Sequence, residues 1–209
     1  MEKTARTRVP IADVLRTRWS PRAFTNRPVE NKNLLALLEA ARWSPSSMNE
    51  QPWHFMLAAK HDDPEAYRQL YKCLSKSNQR WVHRAPVLLL AAAKLHNART
   101  GEPNVFAWYD VGQSVAFLTV QATALGLAVH QLGGFDRGKA REIIRLPDGY
   151  EPIVMLCIGY ADSPEVLPDD LRVREEAPRF RKPLESFVFT EEWGNPSHHI
   201  NSIPSTASN

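Results

Sequence analysis

Between a helical pattern and a strand pattern lies the stretch Ser44-Pro45-Ser46-Ser47-Met48-Asn49-Glu50-Gln51-Pro52-Trp53-His54-Phe55. Pro45 ends the preceding helix, because proline lacks the amide proton and clashes with the turn before it. The serines and Asn49 offer the hydroxyl and amide groups that favour a turn. The stretch therefore predicts a polar loop between buried elements, with neutral donors and acceptors beside a tryptophan. Such chemistry suits a flat, polar heterocycle.

A second motif lies upstream and reads Arg18-Trp19-Ser20-Pro21-Arg22-Ala23-Phe24. Two guanidinium groups with a hydroxyl between them could hold a phosphate or a ring carbonyl, because guanidinium donates through a bidentate fork. A solvated basic turn is the simpler interpretation of these residues taken alone. The ligand-binding interpretation of this motif is favoured only when it is considered together with the first motif.

Together the two motifs resemble those of the nitroreductase family, FMN-dependent NAD(P)H oxidoreductases that fold as homodimers. Residues 44–55 are similar to the family signature S-P-S-S-x-N-x-Q-P-W-x-F, and residues 18–24 to its segment R-x-S-x-R/K-x-F. The resemblance covers about residues 10 to 190. It implies an α+β fold, a three-layer αβα arrangement with a small, mainly antiparallel central sheet flanked by helices. It also implies an intertwined homodimer with two FMN sites at the subunit interface.

Composition agrees with one soluble domain. The chain has 209 residues, of which 43% are hydrophobic and 23% charged, enough to bury a core. The 26 basic and 23 acidic residues are too balanced and dispersed to predict nucleic-acid binding. No run approaches the roughly 18 apolar residues of a membrane-spanning helix, and the polar N-terminus lacks an apolar targeting region. We therefore expect a cytoplasmic protein that binds neither nucleic acid nor membrane.

Hydrophobic periodicity predicts alternating helices and strands. Helices are expected over residues 9–17, 28–42, 64–74, 77–84 and 104–128, and from Asp136 as N-cap to Leu146. Strands are expected over residues 54–60, 86–93 and 150–161, with a further strand that starts at Ala128 and ends in a diglycine turn. Residues 1–190 are interpreted as one domain and residues 191–209 as a flexible tail.

The resemblance assigns roles to the residues of both motifs. It implies that Arg18, Trp19 and Ser20 contact the ribityl-phosphate side of FMN, and that Arg22 approaches the N1/O2 edge of the isoalloxazine. Reduced flavin is negative near N1, so a fixed cation there favours the reduced form. The first loop would reach the flavin from the opposite subunit, through Pro45, Ser46, Ser47 and Asn49. A monomer would then lack a complete site.

Further contacts are implied around the diglycine turn. Backbone amides that follow the strand would face flavin N5 and O4, contributed by Gln131, Leu132, Gly133 and Gly134. Glycine suits this place because a backbone without Cβ can approach the ring closely. Asn78 falls where some family members have a flavin-contacting asparagine. Trp81 stands where such members carry a lysine, and would add an aromatic wall to the substrate pocket.

Two further aromatic residues precede or begin the longest helix, Phe106 and Trp108. By resemblance, they can cover the flavin and select flat substrates. Aromatic residues near a helix start more often serve plain packing.

A phosphate-binding loop offers a competing interpretation of one segment. Residues 133–139 satisfy G-x-x-x-x-G-K after a strand and before a helix. Such a loop requires Ser or Thr next, for magnesium, whereas Ala140 stands there. A nucleotide hydrolase is therefore disfavoured.

From Asp162 onward, repeated prolines predict an extended arm over residues 162–190 that wraps another surface. Within it, residues 179–184 resemble the family's basic segment that closes on the FMN phosphate. Arg179 and Arg181 are the assigned contacts, although Lys182 is an alternative. A phosphate monoester carries close to two negative charges, which two arginines together with Arg18 would balance.

The implied activity is a ping-pong reaction. NADH or NADPH delivers hydride to FMN, and an electron-poor acceptor such as a nitroaromatic or quinone then occupies the same place. No metal is expected. Two alternatives remain: a flavin enzyme of the same fold with a narrow substrate, such as a reductive dehalogenase or small-metabolite dehydrogenase, and a non-catalytic FMN-binding module. The choice between NADH and NADPH stays open, because the chain has no dinucleotide-binding domain.

Overall fold

Four antiparallel strands form the sheet in the computed structural model, which describes residues 3–200. The strands are β1 (Trp53–Ala59), β2 (Val87–Lys94), β3 (Ala128–Leu132) and β4 (Tyr150–Gly159), in the spatial order β1-β2-β4-β3. The helices are α1 (Asp13–Thr17), α2 (Asn31–Arg42), α3 (Pro64–Cys73), α4 (Lys76–Val82), α5 (Ala107–Ala124), α6 (Arg137–Ile143) and α7 (Asp169–Glu176). The predicted α+β class with an antiparallel sheet is confirmed.

Strand β2 separates two hydrophobic cores. Its alternate residues Leu88 and Leu90 belong to one core, which also contains buried residues of α3, α4 and α6. Leu89 and Ala91 belong to the other, with buried residues of α2 and α5. Successive side chains of a strand point to opposite faces, so helices cover both faces of the sheet. This arrangement explains why β2 reads as a continuous apolar run.

Helix α5 packs against the sheet and α2 through a narrow apolar stripe. Val111, Val115, Leu118 and Ala122 are almost completely buried. The helix is shorter than the predicted 104–128, because Gly126 at φ +73° turns the chain after Ala124. The N-cap of α6 is as predicted, since the Asp136 carboxylate accepts from the Lys139 N–H at 2.9 Å.

The prediction of an extended C-terminal arm is wrong for residues 169–176, which form α7. Pro168 precedes a first turn that contains Asp169 and Asp170, an acidic start that favours a helix. One side of α7 buries Leu171 and Glu175. The chain then passes over the N-terminal segment. Of the predicted tail, residues 191–200 are described and residues 201–209 lie outside the described part. Its flexibility and the single-domain assignment remain predictions.

Within residues 3–200, every helix is too short or too polar to cross a lipid bilayer.

Candidate functional site

Three arginines converge near the end of α1. Burial lowers the pKa of Arg18, and the nearby positive charges of Arg179 and Arg181 lower it further. Burial and the charge of Arg181 likewise lower the pKa of Arg179. Within residues 3–200, none of the three forms an ion pair with a carboxylate. The cluster therefore carries uncompensated positive charge, which suits an anion with several acceptor oxygens.

Backbone carbonyl groups hold this cluster in place. The Arg179 guanidinium donates through Nη1 to the carbonyls of Lys3 at 2.6 Å and Arg16 at 3.1 Å. Arg18 donates to Ser20 Oγ at 3.2 Å. The C-terminal segment after α7 is thereby fastened to the loop after α1. Two regions more than 150 residues apart in sequence thus form one basic surface.

Arg22 and Trp19 lie in the same loop. The Arg22 N–H donates to Glu175 Oε1 at 2.7 Å, and the Arg22 guanidinium lies 3.6 Å from Glu175 Oε2. The Lys3 ammonium lies over the Trp19 ring, 5.3 Å from its centroid. The loop is therefore held from below by α7 and from the side by the N-terminal segment.

His130 links this loop to β3, an edge strand of the sheet. Its Nδ1 lies 2.8 Å from the Pro21 carbonyl oxygen, so the neutral ring donates there. Burial is the main cause that lowers the pKa of His130 to about 4, and the charges of Arg22 and Arg18 add to the effect. The imidazole is therefore neutral at pH 7 and serves as a rigid spacer.

Trp81 does not line an open pocket. Its side chain is 3% exposed and packs between Phe24, at 6.5 Å between ring centroids, and His130, at 4.7 Å. The prediction that this indole forms a wall of the substrate pocket is therefore at odds with its position in the hydrophobic core. Sequence alone does not tell which face of the short helix α4 is buried.

The diglycine turn follows β3 and is held by α4. The Gly134 carbonyl accepts from the Ser75 N–H at 2.9 Å and from Asn78 Nδ2 at 3.0 Å. A Cβ built on Gly134 would come within 2.9 Å of Asn78 Nδ2, whereas one on Gly133 would meet nothing within 4 Å. A side chain at Gly134 would therefore displace the Asn78 amide, whereas Gly133 leaves its backbone open to a ligand. Gln131 is exposed, whereas the Leu132 side chain points into the core.

A surface cavity of about 670 Å³ opens beside this turn. It lies between the end of α3, the start of α4 and the turn that leads into α6. Its lining includes Tyr71, Lys72, Ser75, Lys76, Gly133 and Lys139. The cavity is large enough for a small organic molecule and has a basic rim.

The loop between α2 and β1 adopts an unusual backbone. Met48, Asn49 and Gln51 have φ values of 51°, 56° and 47°, in the left-handed region that side chains with a Cβ seldom adopt. Ser46 Oγ accepts from the Gln51 N–H at 3.0 Å, and the Ser47 N–H donates to Asp110 Oδ2 at 3.1 Å. Buried Asp110 thus ties the loop to the start of α5. Strain held in this way is typical of ligand-binding loops.

The two predicted aromatic residues lie beside this loop, at the N-terminal end of α5. Phe106 is its N-cap and is about half exposed. Trp108 is also about half exposed, and its Nε1 donates to Glu151 Oε2 at 3.2 Å. Both rings present apolar surface that this chain leaves uncovered.

The structure therefore divides the predicted site residues into two groups. The arginine–glycine group consists of Arg18, Trp19, Ser20, Arg22, Asn78, Gln131, Leu132, Gly133, Gly134, Arg179 and Arg181. The serine-loop group consists of Pro45, Ser46, Ser47, Asn49, Phe106 and Trp108. Among the hydrogen bonds and ion pairs of residues 3–200, none joins one group to the other.

Three residues that support the site were missed from the sequence. Glu175 and Asp110 are buried carboxylates that accept from loop N–H groups. His130 stands inside a strand pattern, where a single histidine carries no signal of its own. An acid in an otherwise apolar helix stripe, such as Asp110, is the one signal that the sequence does offer.

Comparison with known proteins relates this chain to a family. A family described as "Nitroreductase family" matches residues 15–160. A solved structure described as "the oxidoreductase containing FMN" is 34% identical and superimposes with a TM-score of 0.86, covering 91% of this chain and 96% of that one.

Two further relatives agree. A nitroreductase family protein from Clostridium difficile 630 is 26% identical, with a TM-score of 0.67 over 86% of this chain and 96% of its own. A protein of Ralstonia nicotianae named "Putative NADH dehydrogenase/NAD(P)H nitroreductase" is 28% identical over 179 residues. That match covers 75% of this chain and 88% of the relative.

Proposed function

Because this chain belongs to the nitroreductase family, we propose that it is an FMN-dependent NAD(P)H oxidoreductase. It reduces electron-poor acceptors such as nitroaromatics or quinones by a ping-pong mechanism. The observation that carries the proposal is the cluster of Arg18, Arg179 and Arg181, whose positive charges lie together with no carboxylate partner among residues 3–200. Without a bound anion, that cluster is a cost to the fold.

The residues present fit FMN at both of its ends. A phosphate monoester carries close to two negative charges and three acceptor oxygens, which matches the three guanidinium groups. His130 contacts the loop of Arg18 through the Pro21 carbonyl. Gly133 comes three residues after His130, which is about 10 Å along an extended strand. An elongated ligand can therefore place its phosphate at the cluster and its ring beside the diglycine turn.

Each group of the chain has a distinct task in this reaction. FMN, when bound, supplies the hydride-accepting chemistry. Arg22 would place a fixed positive charge beside the ring edge, and the open backbone at Gly133 would offer its amide to the ring. The chain then binds the nicotinamide and the acceptor in turn at the same place, and holds each close to the ring. No side chain has to donate or abstract a proton.

We propose that the active form is a homodimer, because no hydrogen bond or ion pair among residues 3–200 joins the serine-loop group to the arginine–glycine group. The outer face of α5 supports this. Tyr109 is 66% and Phe117 44% exposed, and a Cβ on Gly112 between them would meet nothing within 4 Å. Exposed aromatic residues beside small ones suit a close helix contact with a second copy. The serine-loop group of each subunit would then complete the site of the other.

An absorption spectrum tests the function. Protein loaded with FMN should show two flavin bands that bleach under anaerobic conditions when NADH or NADPH is added. A nitroaromatic or quinone should then restore them. Bands that stay oxidised with both nicotinamides would instead support a non-catalytic FMN-binding module. Bleaching without turnover of common acceptors would favour an enzyme with a narrow substrate. The absence of flavin after reconstitution would refute the proposal.

A further inference from the structure

Glu175 of α7 lies beneath the loop that contains Arg22. Its side chain is 1% exposed. Oε1 accepts from the backbone N–H groups of Arg22 at 2.7 Å and Ala23 at 3.1 Å. Oε2 lies 3.6 Å from the Arg22 guanidinium and has no hydrogen-bond partner among residues 3–200. Neither the resemblance nor the family match assigns any role to this carboxylate.

Burying the Glu175 carboxylate is energetically unfavourable if the residue only holds the loop in place. Removing a carboxylate from water costs several kcal/mol unless charge and hydrogen bonds compensate it. Here, one oxygen is well bonded, and the other faces a guanidinium beyond hydrogen-bond distance. A neutral amide would satisfy the same two backbone N–H groups without the cost of burying a charge. The negative charge therefore calls for an explanation other than holding the loop.

The second feature is the surrounding charge. Three positive charges lie around Glu175 and the loop. Those of Arg22 and Arg18 are close enough to His130 to lower its pKa. The third is the Lys3 ammonium, which donates to the Glu175 carbonyl oxygen. Glu175 is the buried acid in direct contact with this group, so it determines how much net positive charge the loop presents.

We propose that Glu175 is a positioning residue that orients Arg22 toward the flavin and partly offsets its charge, and so sets the reduction potential of bound FMN. The inference rests on the proposed function. Because reduced flavin gains negative charge, a weaker positive field lowers the affinity of the protein for reduced FMN relative to its affinity for oxidised FMN. Glu175 thereby keeps the flavin from becoming too stable in its reduced state to pass electrons to an acceptor.

The test is the variant Glu175→Gln, which keeps an oxygen for the two N–H groups and removes the charge. The midpoint potential of the bound FMN is measured against a reference dye during slow anaerobic reduction. We expect reduced FMN to bind roughly tenfold more tightly relative to oxidised FMN, which raises the potential by about 30 mV for a two-electron couple. Glu176→Gln is the matched control, because Glu176 is the exposed neighbour on the same helix, and it should leave the potential unchanged.

Two further variants separate positioning from structure. Glu175→Asp draws the carboxylate back by one methylene and should shift the affinity ratio in the same direction by roughly threefold. Glu175→Asp replaces Glu175→Gln as the test variant if the Gln variant does not fold. In an Arg22→Ala background, Glu175→Gln should raise the potential by less than it does in the parent, because the part of the effect that depends on the position of Arg22 is lost.

The outcomes distinguish this inference from the function beneath it. If neither Glu175→Gln nor Glu175→Asp changes the potential, or if the change is undiminished without Arg22, the inference is overturned while the reductase proposal stands. If the unaltered protein binds no FMN, or binds it without reduction by NADH and NADPH, both fail.

Discussion

Neutralising Arg181 should weaken FMN binding without weakening the fold. In the substitution Arg181→Gln, an exposed cation of the arginine cluster is replaced by a neutral polar side chain. Among the hydrogen bonds and ion pairs of residues 3–200, Arg181 contributes one, from its Nη1 to the neighbouring Phe180 carbonyl at 2.7 Å, so little structure depends on it. Lys182→Gln is the matched control. Lys182 is also exposed and adjacent, but its charge is not among those that lower the pKa of Arg18.

The expected magnitude follows from charge and exposure. A hydrogen bond to a charged group contributes about 1.5–3 kcal/mol, whereas exposed ion pairs contribute about 0.2–1 kcal/mol. An exposed arginine that meets a doubly charged phosphate should lie between these values, at about 1–2 kcal/mol, or a roughly 5- to 30-fold rise in Kd. The flavin-free protein should not lose thermal stability, because the substitution relieves repulsion with Arg18 and Arg179.

Quenching of flavin fluorescence measures the two affinities. Apoprotein is titrated with FMN at low and at high salt, and the difference between Arg181→Gln and the parent should shrink at 1 M salt, where the Debye length is about 3 Å. Equal losses for Arg181→Gln and Lys182→Gln would show that only net charge matters. An unchanged Kd for Arg181→Gln would refute the assignment of the cluster to the phosphate.

Three further predictions have defined outcomes. Gly134→Ala should lower the free energy of unfolding by about 0.5–1.5 kcal/mol, because its Cβ, 2.9 Å from Asn78 Nδ2, would displace that amide from its hydrogen bond to the Gly134 carbonyl, whereas Gly133→Ala should melt at the parent temperature. The folded pKa of His130, about 4, lies below the unfolded value of about 6.5, so the unfolded chain binds more protons between these values. Unfolding free energy should therefore fall by up to about 3 kcal/mol as pH drops from 6.5 to 4, and comparison with His130→Gln in chemical denaturation should isolate that loss. Trp81→Phe should lower stability by about 1–3 kcal/mol and leave the acceptor KM unchanged; an altered KM with an unchanged melting temperature would return this residue to the substrate pocket.

The sequence predicted the sheet well because its strands carry strong local signals. Strand β2 is apolar from Val87 to Ala93, and these seven residues are all buried. The Asp136 N-cap is equally local, since the carboxylate bonds three residues ahead. Helix α7 was missed because its one buried apolar side chain, Leu171, is surrounded by charged residues. Its amphipathic pattern is too weak to indicate a helix beside prolines that predict extended chain.

Within the candidate site, the sequence motifs identified the site residues but not the residues that contact them in the folded chain. The motif at residues 18–24 gave Arg18 and Arg22, yet Glu175 contacts that loop from more than 150 residues away. Such pairing follows from the fold and leaves no trace in local spacing. The burial of Trp81 was missed for a similar reason, since its stacking partners, Phe24 and His130, come from other elements.

Subunit complementation tests the central claim, that each FMN site takes residues from two chains. One variant, Arg18→Ala with Arg179→Ala, damages the arginine–glycine group, and another, Ser46→Ala with Asn49→Ala, damages the serine-loop group. Each alone should bind little FMN as a dimer. After subunit exchange at equal amounts, about half of the dimers are mixed and each holds one intact site. Flavin occupancy should then recover to about one quarter of the parent value, whereas a mixture that binds no more FMN than its components would contradict the account.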